Sequence, residues 1–209
     1  MSGRIALSRP LFVIAATAAI VIGVAACATP ADPGDAPPSG IAAKGDVLGQ
    51  GTVLQVGDAA PQFCLGGVMD SFPPQCSGPE IVGWNWDEVA GAESANDVTW
   101  GAYALQGTWD GLTFTLTHPA MLLALYDPLP FVDAYLEPAN AGDTPELDLL
   151  AIQLELNSLA DVPFLSTVPQ NGYLFGTVIY DDGDIQAYVD QQYGKEVVQI
   201  RSALRPVDG

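Results

Sequence analysis

Midway along the chain the spacing of the apolar residues changes, and that change decides the fold class. From Gly51 to His118 every readable element is short and alternates with period two. Gly51–Val56, Gln62–Gly66, Glu80–Trp86, Val98–Gln106 and Leu112–Thr117 are rich in β-branched and aromatic residues and are separated by Gly, Pro, Asn or Asp, which is how strands are punctuated. The clearest is Leu112-Thr113-Phe114-Thr115-Leu116-Thr117, preceded by Asp110-Gly111. Asp-Gly favours a tight hairpin, which would place Tyr103 and Leu105 of the preceding strand on the same buried face. Strands this short and this closely spaced predict a small antiparallel β-barrel, OB-like, over residues 47–119. A compact sandwich is the other arrangement the spacing allows.

Beyond Pro119 the pattern is mixed. Met121–Tyr126 reads as a strand or a short helix, and Pro128, Pro130, Pro138, Gly142 and Asp143 mark a long connection. Thr144-Pro145-Glu146 then supplies an N-cap, a first-turn proline and a favourable acid, opening a helix to about Ala160. Leu149, Ile152, Leu156 and Leu159 form one stripe, and Leu147, Leu150 and Leu154 widen it, so a broad face is expected to be buried against a sheet. Phe164–Val168 and Tyr173–Tyr180 are strands flanking Asn171-Gly172, a hairpin signal. Asp181-Asp182-Gly183-Asp184 turns the chain into a helix, Ile185–Tyr193, stopped by Gly194, and Glu196–Ile200 is a last strand. With Met121–Tyr126 leading, the order is βαββαβ, a ferredoxin-like α/β sandwich over residues 120–209. The expected class is therefore α+β.

The N-terminus concerns address rather than fold. Arg4 and Arg9 precede an unbroken apolar run, Leu11–Ala26, which stops at Cys27. A charged start, an apolar stretch and small residues before a cut site define a secretory signal peptide over residues 1–26. Val24-Ala25-Ala26-Cys27 resembles the lipobox of bacterial lipoproteins. That resemblance implies cleavage before Cys27 and fatty acyl chains (palmitate and its like) on the cysteine, which would hold the protein on the extracytoplasmic face of the cell membrane. Two acyl chains anchor stably where one would not. The apolar run falls short of the ~20 residues a spanning helix needs, and no Lys/Arg cluster follows it. Residues 27–46, rich in Pro, Ala, Gly and Asp with no apolar periodicity, are expected to form a disordered tether.

Charge then excludes one class of partner. All 25 acids lie beyond Cys27, and removing Arg4 and Arg9 leaves four of the 6 bases, a side-chain charge of about −21. Such a field repels phosphate polymers, so nucleic acid is no partner. The three cysteines divide just as clearly. Cys27 is assigned to lipid, leaving Cys64 and Cys76 as an even pair in an oxidising compartment, closing the Gly- and Pro-containing loop LGGVMDSFPPQ. With no CxxC spacing, the expected disulfide is structural.

Catalytic motifs are scarce. The single histidine, His118, cannot build an HExxH or His-rich zinc site. No GxSxG elbow, GxxxxGK[ST] loop or GxGxxG fingerprint occurs. Glu80, Asp87, Glu88 and Glu93 flank Trp84 and Trp86, an arrangement that could serve a sugar platform or a pair of hydrolytic carboxylates, although a tryptophan in a small barrel is more often core. Asp181-Asp182-Gly183-Asp184 departs from the calcium-loop spacing and has no bidentate Glu after it. No catalytic, cofactor-binding or metal-ligating residue is assigned, and no cofactor is expected.

Three further stretches, CLGG…PPQC (Cys64–Cys76), GTWDG with FT (Gly107–Thr115) and YDDG…YG…V (Tyr180–Val197), resemble a group of uncharacterised lipoproteins from high-GC Gram-positive bacteria. The resemblance implies an envelope address and brings no activity with it. The expectation is a membrane-anchored envelope lipoprotein that acts as a non-catalytic binding or interaction module, meeting an envelope protein or a small ligand. The alternatives are an envelope hydrolase acting on glycan or peptide and a ligand-capturing transport lipoprotein; a solute-binding component would carry a run of βα units that is missing here.

Overall fold

The structure is a computed structural model that describes residues 37–127, 133–159, 162 and 164–207. The expected signal peptide, Cys27 and the first part of the expected tether lie outside the described residues. Among the described residues the architecture is α+β: a curled, half-barrel sheet of 8 strands, a second sheet of 3 strands, and two α-helices.

Two long strands organise the first sheet. β1 (Asp46–Val56) and β5 (Val98–Trp109) pair antiparallel along their whole length, from Asp46↔Thr108 to Val56↔Val98. Short strands finish the edges. β2 (Gln62–Cys64) and β11 (Arg205–Pro206) pair with β1, while β4 (Glu93–Ala95), β6 (Phe114–Leu116) and β7 (Met121–Leu122) pair with β5. β3 (Ile81–Val82) runs parallel to β6, with Ile81↔Phe114 and Val82↔Thr115 in register. Gln62 bridges Glu80, and Ile81 N–H donates to the Pro61 carbonyl at 2.9 Å, so β2 also reaches β3. The sheet can curl this tightly because crowded positions lack side chains: a Cβ on Gly51 would come within 2.4 Å of the Cys64 carbonyl oxygen. Inside the curl lie Val53, Phe63, Tyr103, Leu105 and Phe114, all fully buried.

Asp110 shows how local chemistry trims a strand. Its Oδ1 accepts from Leu112 N–H at 2.8 Å and Thr113 N–H at 2.7 Å, holding a side-chain-capped turn with Gly111 at φ +98°. The strand expected from Leu112 therefore begins at Phe114, and Leu112 projects into solvent.

The second sheet runs β10 (Val198–Ser202), β9 (Tyr173–Val178), β8 (Ser166–Gln170). β8 and β9 form the hairpin expected at Asn171-Gly172, and β10 lies parallel to β9. α1 (Glu146–Leu156) and α2 (Asp184–Tyr193) cover one face, where Leu149, Leu156, Leu174, Val189 and Val198 share a core. The ferredoxin-like order requires a leading strand in this sheet. Met121–Leu122 pairs instead with Tyr103 and Ala104 of β5, and β10 sits directly against β9. At two residues, β7 is long enough only to extend an existing edge.

The other face of this sheet is covered by residues 133–140, which form two short 3-10 helices, Ala134–Leu136 and Pro138–Asn140. Tyr135 packs edge-on to Tyr173 at 5.1 Å, Asn171 Nδ2 donates to the Tyr135 and Glu137 carbonyls, and Arg201 stacks 3.8 Å over Phe175 while pairing with Asp133.

Both ends of the described chain cross between the sheets. After β10, Leu204 inserts among Val47, Tyr103 and Phe114, and β11 pairs beside β1. At the other end, residues 37–46 do not behave as the tether that composition suggests. The Trp109 indole N–H donates to the Ile41 carbonyl at 2.9 Å, Ala43 N–H donates to the Trp109 carbonyl at 2.9 Å, and Ile41 packs on Val162, Val178 and Ile185. One isoleucine and two hydrogen bonds with Trp109, one from its indole and one to its carbonyl, are invisible to an averaged composition, yet they fix the segment.

Candidate functional site

β3 and β6 are short parallel neighbours, and their chains leave the sheet side by side. Parallel strands open a crevice beyond their carboxyl ends when the following segments diverge. That happens here. Gly83, at φ +86°, turns one chain away, and Pro119 redirects the other. The gap, about 230 Å³, has Gly83, Trp84, Asn85, Glu88 and Val89 on one wall and Leu116 to Ala120 on the other.

Trp84 is the hub of the first wall. Its ring packs edge-on to Trp86 at 5.0 Å and to Tyr103 at 5.0 Å, so the wall is anchored in the core of the curled sheet. Tyr103 Oη donates to the Ala90 carbonyl at 3.0 Å, and Trp86 Nε1 donates to Gln55 Oε1 at 2.6 Å. Burial holds the Tyr103 phenol above its usual pKa range. The Trp84 indole N–H, by contrast, is buried with no hydrogen-bond partner. A donor in that state costs about 1–3 kcal/mol relative to a satisfied one. Asn85 stiffens the same wall: its Oδ1 accepts from Asp87 N–H at 3.1 Å and its Nδ2 donates to Glu88 Oε1 at 2.9 Å.

On the second wall, His118 belongs to a cluster centred on Asp46. Thr117 Oγ1 lies 2.9 Å from Asp46 Oδ2 and 3.0 Å from His118 Nδ1. Gln106 Nε2 donates to the same carboxylate oxygen at 3.2 Å. A carboxylate only accepts, so the single hydroxyl proton of Thr117 goes to Asp46, and Thr117 accepts from His118 Nδ1–H. In the neutral ring His118 Nε2 then carries the lone pair. The hydroxyl and the carboxylate both approach Nδ1, the carboxylate at 3.5 Å. A nucleophile–base–acid relay needs them on opposite ring nitrogens. The cluster orients the imidazole without activating Thr117.

The other residues singled out in the sequence are placed as follows. Cys64 and Cys76 are bonded, with S–S 2.06 Å and Cα–Cα 5.9 Å. Glu80 pairs into the sheet beside Gln62, and Glu93 lies in β4, so neither joins Glu88 at the crevice. Asp181 uses both carboxylate oxygens on the first turn of α2, accepting from Ile185 N–H at 2.9 Å and Gln186 N–H at 3.3 Å. Among the described residues, no group of three or more His, Cys, Asp or Glu side chains is arranged to hold a metal ion, and no helix is long and apolar enough to cross a membrane. Of the second wall the sequence singles out His118 alone, and nothing in it points to Asp46. Asp46 was hidden by its low-complexity neighbours, although it directly precedes the alternating run of β1. Compared with known proteins, the chain matches no family model, no curated protein and no solved structure.

Proposed function

We propose that this chain is a lipid-anchored envelope module that binds a ligand at the Trp84–His118 crevice without transforming it. The observation that carries the reading is the crevice of mixed polarity that Trp84, Asn85, Glu88 and His118 line together. An aromatic ring beside a carboxylate, an amide and an imidazole acceptor suits a compact, hydroxyl-rich guest such as a short oligosaccharide, whose ring faces stack and whose hydroxyls both donate and accept. The Nδ1-centred cluster of His118 favours binding over turnover. The circuit of β1, β2, β3, β6 and β5 supports an OB-like reading of the curled sheet, a class that binds its ligands across the second and third strands and the adjoining loops; the crevice opens at the end of β3. Acylated Cys27 would hold this site at the outer face of the membrane.

Titrating the protein with N-acetylglucosamine and mannose oligosaccharides while following tryptophan fluorescence tests the crevice. Saturable quenching that Trp84→Phe weakens about tenfold or more, the scale of one good contact, supports the reading, whereas quenching indifferent to Trp84 removes it. Release of a smaller sugar during incubation would replace binding by hydrolysis. The anchor is checked separately. The membrane form should outweigh the chain starting at Cys27 by its acyl groups, and Cys27→Ala should be released from membranes.

A further inference from the structure

α1 is apolar on two opposite sides, and only one of them has a use in the fold. Leu149 and Leu156 are buried against the second sheet and α2. The leucines expected to widen that buried face do not: Leu147 is 80% exposed, Leu154 75% and Leu150 39%. A three-stranded sheet offers the helix a single packing surface, which the Leu149–Leu156 side fills. At 100° per residue, positions 147, 150 and 154 stand one above another as i, i+3 and i+7, and exposed Ala151 continues the stripe. Carboxylates border it: Glu146 follows one edge, and Asp148 and Glu155 the other. No Lys or Arg occurs anywhere from Gly45 to Gly194, so nothing of opposite sign in that stretch offsets the border.

We propose that this stripe docks an amphipathic helix of a partner protein whose apolar face is flanked by Lys and Arg. The leucines provide the anchors of a helix-on-helix contact at i, i+3 and i+7 spacing. The carboxylate border selects the sign of the partner's flanks and hastens encounter. The same border argues against the two nearest competitors. Stripe-to-stripe contact between two copies would set like charges together, and an anionic lipid surface would be repelled. This site is separate from the crevice and does not depend on what binds there.

The probe is a fluorescein-labelled 14-residue Leu/Lys peptide of helical amphipathic pattern, with a Leu/Glu peptide of identical apolar face as its counterpart. Binding to the mature chain is followed by anisotropy. L147Q/L154Q changes only exposed positions and leaves net charge untouched; L112Q, at a site 79% exposed on the Asp110 turn, is the control. The double variant should weaken Leu/Lys binding about tenfold or more, since central apolar anchors dominate such contacts. L112Q should not, and binding should weaken as salt rises. Equal binding by L147Q/L154Q shows attraction to acidic surface in general and overturns the proposal, as does equal binding of the Leu/Glu peptide. A concentration-dependent dimer in sedimentation that L147Q/L154Q abolishes reassigns the stripe to a second copy.

Discussion

The two sheets are stabilised in contrasting ways. The curled sheet buries aromatic rings that meet edge-on, as Phe63 does Phe114 at 5.3 Å, and a disulfide staples the loop leaving its β2. The three-stranded sheet buries aliphatic side chains under its helices and turns its aromatics, Tyr173 and Phe175, to the other face beneath residues 133–140. A strongly curved sheet must fill its interior from its own strands, so it needs large side chains. A flat sheet can borrow volume from helices. Yet Leu204, β11 and Ile41 pack each region on the other, which should make the contrast local in structure and shared in stability.

The strongest break is Phe114→Ala. Truncating a fully buried aromatic should cost about 3–5 kcal/mol. The chain carries its own reporters for each region, because Trp84, Trp86, Trp100 and Trp109 all lie in the first and both α-helices in the second. Urea melts followed by tryptophan fluorescence and by helical circular dichroism should coincide in the wild type and shift together in the variant. If the helical signal survives after the fluorescence transition, the shared core through Leu204 is too weak to couple the sheets.

Cys64→Ser with Cys76→Ser should rank next. Opening a loop whose cysteines are 12 apart in sequence removes about 2–4 kcal/mol in the chain-entropy description. The loss should appear as an earlier urea midpoint and be reproduced by a reducing agent acting on the wild type.

How far the sequence could be read follows the same division. Strands and turns around Asp110-Gly111 and Asn171-Gly172 were legible because a local signal sets each. Tyr103 and Leu105 are buried together, as the alternation of β5 implies. The second sheet's order was not legible, because pairing is a long-range choice: two residues at Met121–Leu122 extend β5, and nothing in their own letters says so. The extra breadth of α1 misleads for a related reason. Leucines at 147, 150 and 154 show that the helix has a second apolar side, but only the tertiary structure shows that no sheet covers it. Of the crevice, Trp84, Glu88 and His118 were in view as separate candidates. Their meeting depends on the parallel pairing of β3 with β6, a contact between segments more than thirty residues apart.

A smaller effect is expected from Arg201→Met. The guanidinium joins Phe175 on the sheet to Asp133 in the covering segment. Methionine keeps much of the packing but strands a carboxylate that is only 10% exposed. Full burial of an unpaired charge costs about 3–5 kcal/mol; here partial exposure of Arg201 reduces that to about 1–2 kcal/mol. Hydrogen exchange should quicken around Tyr135 and Tyr173 while β1 and β5 stay protected. Uniform acceleration in both sheets would mean that residues 133–140 support the whole molecule and not one face.

The smallest expected effect is visible only in alkali. Tyr193 closes α2 against the aliphatic core, and burial, reinforced by the charge of Glu155 and a hydrogen bond to it, pushes its phenol up to about 12. In the unfolded chain the phenol titrates near its ordinary value of about 10. Below that value both states hold the proton and its contribution to stability is complete. Between about 10 and 12 the unfolded state ionises while the folded state does not, so stability drains away as pH rises through this window. Tyr193→Phe removes the titration. At neutral pH the variant should lie within about 1 kcal/mol of wild type, the scale of one hydrogen bond. As pH climbs past 10 it should gain on wild type steadily. Tyr103, raised by burial in the curled sheet, still titrates in the variant, so the alkaline slope should shrink without vanishing. An unchanged difference between variant and wild type from pH 8 to pH 12 would show that Tyr193 is solvated in solution and that the helical region is more open than its packing against Glu155 implies.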